Sequence, residues 1–113
     1  MAFEATLEMS GGGIAKITLS GELDASVAQD FRDKVDLAAG KGAKRLVLIM
    51  TELEFMASAG LRSLIFAKQK MGAGVDIFVI GAQAPIVDTL TMTGFQHSVI
   101  MLAEYDAAQI ETF

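Results

Sequence analysis

Arg45-Leu46-Val47-Leu48-Ile49-Met50 runs directly into Thr51-Glu52-Leu53-Glu54-Phe55-Met56-Ala57-Ser58-Ala59-Gly60-Leu61-Arg62, and the reading of this pair of segments decides the fold. The first is apolar on both faces, as a parallel strand covered on each side must be. From Ser58 onward, Leu61, Leu64, Ile65, Lys68 and Met71 recur at helical spacing. The residues between are predicted to form the loop from strand to helix. Open parallel α/β sheets bind in such loops, beyond the carboxyl ends of their strands. A functional site is therefore expected here, with Ser58 at its focus.

Upstream, Phe3, Ala5, Leu7 and Met9 alternate with Glu4, Thr6, Glu8 and Ser10, the pattern of a half-buried strand. Gly11-Gly12-Gly13 supplies a tight reversal, and Ile14 to Ser20 resumes with Ala15, Ile17 and Leu19 on one face, so a hairpin is predicted. A phosphate loop would need a strand before these glycines and a helix after them. Gly21-Glu22-Leu23-Asp24 ends the second strand. Asp24 or Ser26 is the expected N-cap of a helix whose apolar stripe is Val27, Phe31, Val35 and Ala38, with Ser26 and Gln29 in capping-box spacing. Gly40 and Gly42 stop it.

Downstream, Gly72-Ala73-Gly74 ends the helix of Ser58, and Val75 to Ile80 is another buried strand. Pro85 suits the first turn of a third helix carrying Ile86, Val87 and Leu90, closed by Gly94. Ser98 to Leu102 reads as a last strand and Glu104 to Thr112 as a terminal helix. The order is β-β-α-β-α-β-α-β-α: a mixed α/β sheet in a single domain, residues 1–113, with about four helices.

Composition narrows the function classes. Hydrophobic residues make up 52% of the 113-residue chain and charged residues 20%, enough apolar side chains for one core without staples. Without Cys there are neither disulfides nor thiolate metal sites, and no metal or other cofactor is expected. A net charge of −5 disfavours nucleic acid and anionic membranes as partners, leaving another protein. The longest apolar run is about six residues, against the roughly 20 that cross a bilayer. No basic, then apolar leader opens the chain, which points to the cytoplasm.

Catalysis by Ser58 is not expected. A hydrolase elbow needs Gly two residues to either side, where this chain has Met56 and Gly60. The sole His, His97, sits in a distant Gly-rich turn and not beside Ser58 as a base. A phosphoaspartate receiver would need an Asp where Met50-Thr51 stands, and Gly72-Ala73-Gly74 lies in the wrong context for a dinucleotide fingerprint. Two readings of Ser58 remain: a helix cap, or a modifiable hydroxyl in the small apolar rim of Met56, Ala57, Ala59 and Gly60. A phosphate at a helix start meets free amides and the positive dipole end, so the fold would tolerate it while an interface would not. Phe55, Met56, Met92 and Phe95 are candidate contact residues.

Gly21-Glu22-Leu23-Asp24 after a hairpin, and Phe55-Met56-Ala57-Ser58-Ala59-Gly60-Leu61 after the third strand, resemble the STAS family, specifically the bacterial anti-sigma factor antagonists. The resemblance spans essentially the whole chain. It implies a partner-switching adaptor: the unmodified protein binds an anti-sigma factor that is also a serine kinase, phosphorylation releases it, and a PPM-type phosphatase restores it. The family's phosphorylated serine falls on Ser58 and its first-motif acid on Asp24. The partner surface so implied comprises Glu22, Asp24, Met56, Ala57, Ser58, Ala59, Gly60, Leu61 and Arg62. The chain departs from the family in Ala57 for the usual Asp, Ala59 for a frequent Ser or Thr, and Arg62 for a frequent Gly. Arg62 can pair with a phosphate or an acidic partner group. The alternatives are a constitutively binding STAS subunit of a lipid ABC transporter, or a small-ligand domain.

Overall fold

The computed structural model describes residues 2–113. Its first two strands, β1 (Glu4–Ser10) and β2 (Ile14–Leu23), form the predicted antiparallel hairpin, with Ser10 opposite Ile14 and Glu4 opposite Ser20. Gly12 and Gly13 hold φ of 84° and 83° in the turn, a region a side chain makes costly by roughly 1 kcal/mol or more per residue. Phe3, Ala5 and Leu7 pack on the core as expected, whereas Met9, at the end of the hairpin, is left 37% exposed.

The sheet order is β1-β2-β3-β4-β5, with β2 through β5 parallel. Its other strands are β3 (Arg45–Met56), β4 (Asp76–Ile80) and β5 (Ile100–Leu102). Each crossover steps to the next strand on the same side. Right-handed connections then put every connecting helix on one face. These are α1 (Ala28–Gly40), α2 (Ser58–Met71) and α3 (Ala84–Thr93), and a 3-10 turn at Phe95–Ser98 joins α3 to β5. Phe31 and Val35, Leu64 and Ala67, and Ile86 and Leu90 from the three helices meet Ile17, Leu19, Leu48, Met50 and Val79 from the strands in one buried cluster.

Several sequence-based expectations need correction. Asp24 and Ser26 do not cap α1: Val27 is its N-cap residue and no side chain closes the end. Asp24 Oδ1 instead accepts from the Ser26 amide at 3.0 Å and the Ser26 hydroxyl at 2.6 Å, shaping the turn before the helix. Gln29 donates to Asp33 at 2.9 Å, so no capping box forms. The buried face of α2 is Gly60, Ser63, Leu64 and Ala67, and Ile65 is 40% exposed. Leu64 is buried as its spacing predicts and Leu61 and Met71 pack at the edge of the core, while the small Gly60, Ser63 and Ala67 complete the face because α2 lies close against α1 and the end of β2.

The terminal helix is also shorter than predicted: α4 covers only Ala107–Ile110, opened by Asp106, whose side chain accepts from the Ala108 amide. It lies on the opposite face of the sheet, where fully buried Ile110 joins Ile14, Val47, Phe78 and Ile80. Burial of one such side chain is worth about 1.5–3 kcal/mol. Arg45 fastens the same segment. Its guanidinium donates to the Gln109 and Thr112 carbonyls, at 2.9 Å each, and stacks over Phe78 and Phe113.

Candidate functional site

The predicted loop of residues 51–57 is largely strand. β3 continues through Met56 because β2 also continues, through Gly21-Glu22-Leu23, and offers its edge: Ser20 pairs with Glu52, Gly21 with Leu53, Glu22 with Phe55 and Leu23 with Met56. Register shifts between Thr18 and Ser20 and between Gly21 and Glu22 break the two-residue alternation. Met50, Leu53 and Met56 consequently turn inward at three-residue intervals, while Thr51, Glu52, Glu54 and Phe55 are exposed. The two motifs singled out in the sequence are thus hydrogen-bonded neighbours at the carboxyl ends of β2 and β3.

Only Ala57 separates β3 from α2. Its amide donates to the Leu23 carbonyl at 2.9 Å, and its own carbonyl receives the amides of Gly60 and Leu61 at 2.9 and 3.2 Å. Ala57 is the N-cap residue, with extended backbone and no side-chain oxygen to offer. Ser58 is the first residue inside the helix, not its cap, and no side chain caps α2. The helix-cap reading of Ser58 is thereby overturned: its side chain is exposed, at the end of the helix where the dipole is positive. No acidic residue occupies that first turn, and Lys68 and Lys70 lie in the last.

Gly60 holds this junction tight. A Cβ there would stand 2.7 Å from Met56 Cγ, 2.9 Å from Leu23 Cγ and 3.0 Å from the Leu23 carbonyl oxygen. The requirement is close approach, not unusual backbone. Gly60 and Met56, the latter 4% exposed, therefore serve the site mainly from the core side. Ala57, Ala59 and Leu61 surround Ser58, with Ala57 and Leu61 half-buried, and Arg62 is exposed one turn further on. Glu22 is exposed beside Phe55, and Asp24 is half-buried in the turn that follows Leu23. Hydrogen bonds from the Ser26 hydroxyl and backbone hold the Asp24 carboxyl below its ordinary pKa, so it is a carboxylate at neutral pH.

A pocket of about 440 Å³ opens beside the hydroxyl, lined by Phe55, Met56, Ala57, Ser58 and Leu61 on one side and Thr89, Met92 and Thr93 of α3 on the other. Phe55 is 48% and Met92 87% exposed, whereas Phe95, at 9%, belongs to the core. Thr89 and Thr93 were not identifiable from the sequence. Each hydroxyl donates back to a carbonyl of its own helix, Pro85 at 3.0 Å and Leu90 at 3.1 Å, so each has its proton committed and can meet a partner only as an acceptor. His97 lies in the 3-10 turn, 3.4 Å from the Gln96 side-chain nitrogen, and is absent from the pocket lining. Among the described residues, no three or more His, Cys, Asp or Glu side chains are grouped to hold a metal, and no helix is long and apolar enough to cross a membrane.

This arrangement sets one exposed hydroxyl at a helix start beside an apolar groove, with a carboxylate in the neighbouring turn. The chain belongs to the STAS domain family, whose family model matches residues 10–108. Among solved structures, an anti-sigma factor antagonist from Mycobacterium paratuberculosis is 20% identical with a TM-score of 0.86, over 98% of this chain and 96% of that one. The anti-sigma factor antagonist SpoIIAA in its unphosphorylated form is 19% identical with a TM-score of 0.80, over 96% and 94%. The Bacillus cell fate determinant SpoIIAA in its phosphorylated form is 21% identical with a TM-score of 0.72, over 97% of each chain. Among curated proteins, none matches by sequence.

Proposed function

We propose that this protein is an anti-sigma factor antagonist whose docking surface is centred on Ser58 and switched by phosphorylation there. The observation that carries the reading is the state of Ser58: exposed, at the first position of α2, beside an apolar groove and next to the junction where the two motifs bond through Leu23 and Ala57. The hydroxyl is a substrate group, and no catalysis by this chain is involved. Unmodified, the surface of Phe55, Leu61, Arg62 and Met92, with Glu22 and Asp24 at its edge, receives an anti-sigma factor that is itself a serine kinase. A phosphate adds about −1.5 to −2 charges to a groove that binding must desolvate, and the complex releases. A PPM-type phosphatase resets the switch. The role is a cytoplasmic one, in transcription control.

The family membership and the likeness to anti-sigma factor antagonists support the partner class. The absence of any bond holding the helix start through a side chain supports modification without unfolding. The test is capture of partners from an extract of the source organism on immobilised wild type, Ser58→Ala and Ser58→Glu, with identification by mass spectrometry. A kinase-like anti-sigma factor retained by wild type and Ala but not by Glu is the expected outcome. Equal retention of one partner by all three proteins contradicts the switch, and a membrane ATPase as that partner would favour the transporter subunit.

A further inference from the structure

We infer that Arg62 is the residue that holds the modified form: a phosphoryl group on Ser58 is gripped by the Arg62 guanidinium across one turn of α2. The inference deepens the phosphorylation reading and rests on it.

Ser58 and Arg62 lie four residues apart in α2, and both are exposed. At that spacing two side chains are neighbours on a helix surface, with Cβ atoms about 5–6 Å apart. Helical side chains lean toward the N-terminus, so the Arg62 side chain covers the turn that begins at Ser58. Nothing competes for its charge along the helix: the residues three and four places away are Ser58, Ala59, Ile65 and Phe66. The ion pairs of the described residues are Arg45–Asp76 and Lys70–Asp36, and Arg62 takes part in neither. Asp24, the acid of the paired motif, accepts at Oδ1 from the Ser26 amide and hydroxyl and makes no ion pair with Arg62.

The backbone adds donors to the same spot. The Ala57 amide is used by Leu23 and those of Gly60 and Leu61 by Ala57, which leaves the Ser58 and Ala59 amides as the unpaired donors of the first turn. A phosphate on Ser58 therefore meets two amides and a forked cation suited to bidentate bonding. In the unmodified protein, Arg62 is an exposed cation one helical turn from Ser58 and outside the ion pairs of the described residues, available to an acidic group of the partner. Phosphorylation consumes that cation internally while adding negative charge, so the partner's acid loses its counterion and gains a repulsive neighbour. Arg62 thereby supplies a second arm to the switch.

The experiment installs phosphoserine at position 58 directly, by genetic encoding or peptide ligation, so that no kinase is required. Phosphorus NMR then follows the titration of the phosphate in this protein and in its Arg62→Gln and Arg62→Lys variants. The second phosphate pKa, ordinarily about 6, is expected lower with Arg62 in place than in Arg62→Gln by roughly half a unit. Arg62→Lys should lie between them, and the difference should shrink with added salt. Comparison against Arg62→Gln isolates Arg62, because both proteins keep the Ser58 and Ala59 amides. Coincident titrations of the phosphoserine protein with Arg62 intact and of its Arg62→Gln variant would overturn the inference. Failure of the phosphorylation reading would appear elsewhere, as equal partner binding by modified and unmodified protein.

Discussion

The Ala57 amide donates to the Leu23 carbonyl at 2.9 Å, and this bond fastens the start of α2 to the end of β2. It brings two motifs more than 30 residues apart in the chain into one surface. Gly60 completes the junction by letting the first turn of α2 lie on Leu23 and Met56.

Gly60→Ala should therefore destabilise the protein although alanine is the better helix former. The propensity gain is about 1 kcal/mol at most, while overpacking against neighbours that include a backbone carbonyl costs about 1–3 kcal/mol. A net loss of roughly 1–2 kcal/mol in urea unfolding is expected. A more stable variant would show that the helix start is free to move away from β2.

Ser58→Ala, by contrast, should leave stability within about 0.5 kcal/mol of wild type, because the side chain caps nothing. A capping serine would cost about 0.5–2 kcal/mol on the same replacement. Ser58→Glu places a negative charge at the positive end of α2 and should be neutral or stabilising by about 0.3–1 kcal/mol. Thermal and urea unfolding of both variants check this, and a loss above about 1 kcal/mol in the Ala variant would restore the capping role.

The groove beside Ser58 should carry binding energy without carrying stability. Phe55→Ala and Met92→Ala remove side chains that are 48% and 87% exposed, so folding should change little. Loss of a buried apolar anchor from an interface typically weakens binding by about 1 kcal/mol or more, roughly fivefold. Leu37, 51% exposed on α1 and absent from the groove, is the control: Leu37→Ala should bind the anti-sigma factor as wild type does. Equal losses for all three would mean that docking is not confined to the Ser58 side.

On the opposite face, the sole tyrosine reports on the C-terminal segment. Burial, followed by the 2.6 Å hydrogen bond to Glu111 and the charge of that carboxylate, raises the Tyr105 pKa to about 12. Lys16, 4.5 Å from the ring centre, does not reverse the shift. Because the folded-state pKa lies above the unfolded value of about 10, the contribution to stability is complete below pH 10 and is lost as pH rises toward 12. Ultraviolet titration should place the midpoint near pH 12 in wild type and lower in Glu111→Gln. A midpoint near pH 10 in both would show that the segment does not stay docked.

The fold was largely readable from spacing, because alternation in β1 and β2, the Phe31-Val35-Ala38 stripe and the continuous apolar runs of β3 and β4 each carry a period that burial enforces. The extension of β3 was not, since Thr51, Glu52 and Glu54 are exposed and two register shifts against β2, each with an extra residue in β3, erase the alternation. The apolar stripe of α2 holds at Leu61, Leu64 and Met71 and fails at Ile65, while Gly60, Ser63 and Ala67 are buried for their smallness, a property that hydrophobic periodicity does not score. Ser58 was found through the strand-to-helix transition, yet its place inside the helix depends on Ala57 bonding to Leu23, a contact between distant segments. The Arg45 clamp on Gln109 and Thr112 likewise has no local signal.

A switch at Ser58 is tested most directly by the affinity of the captured anti-sigma factor for three forms: wild type, Ser58→Ala and protein carrying phosphoserine at 58. Titration calorimetry should give Ser58→Ala an affinity close to that of wild type and the phosphorylated form one at least about tenfold weaker, equivalent to about 1.4 kcal/mol. Indistinguishable affinities for the phosphorylated and unmodified proteins would contradict it.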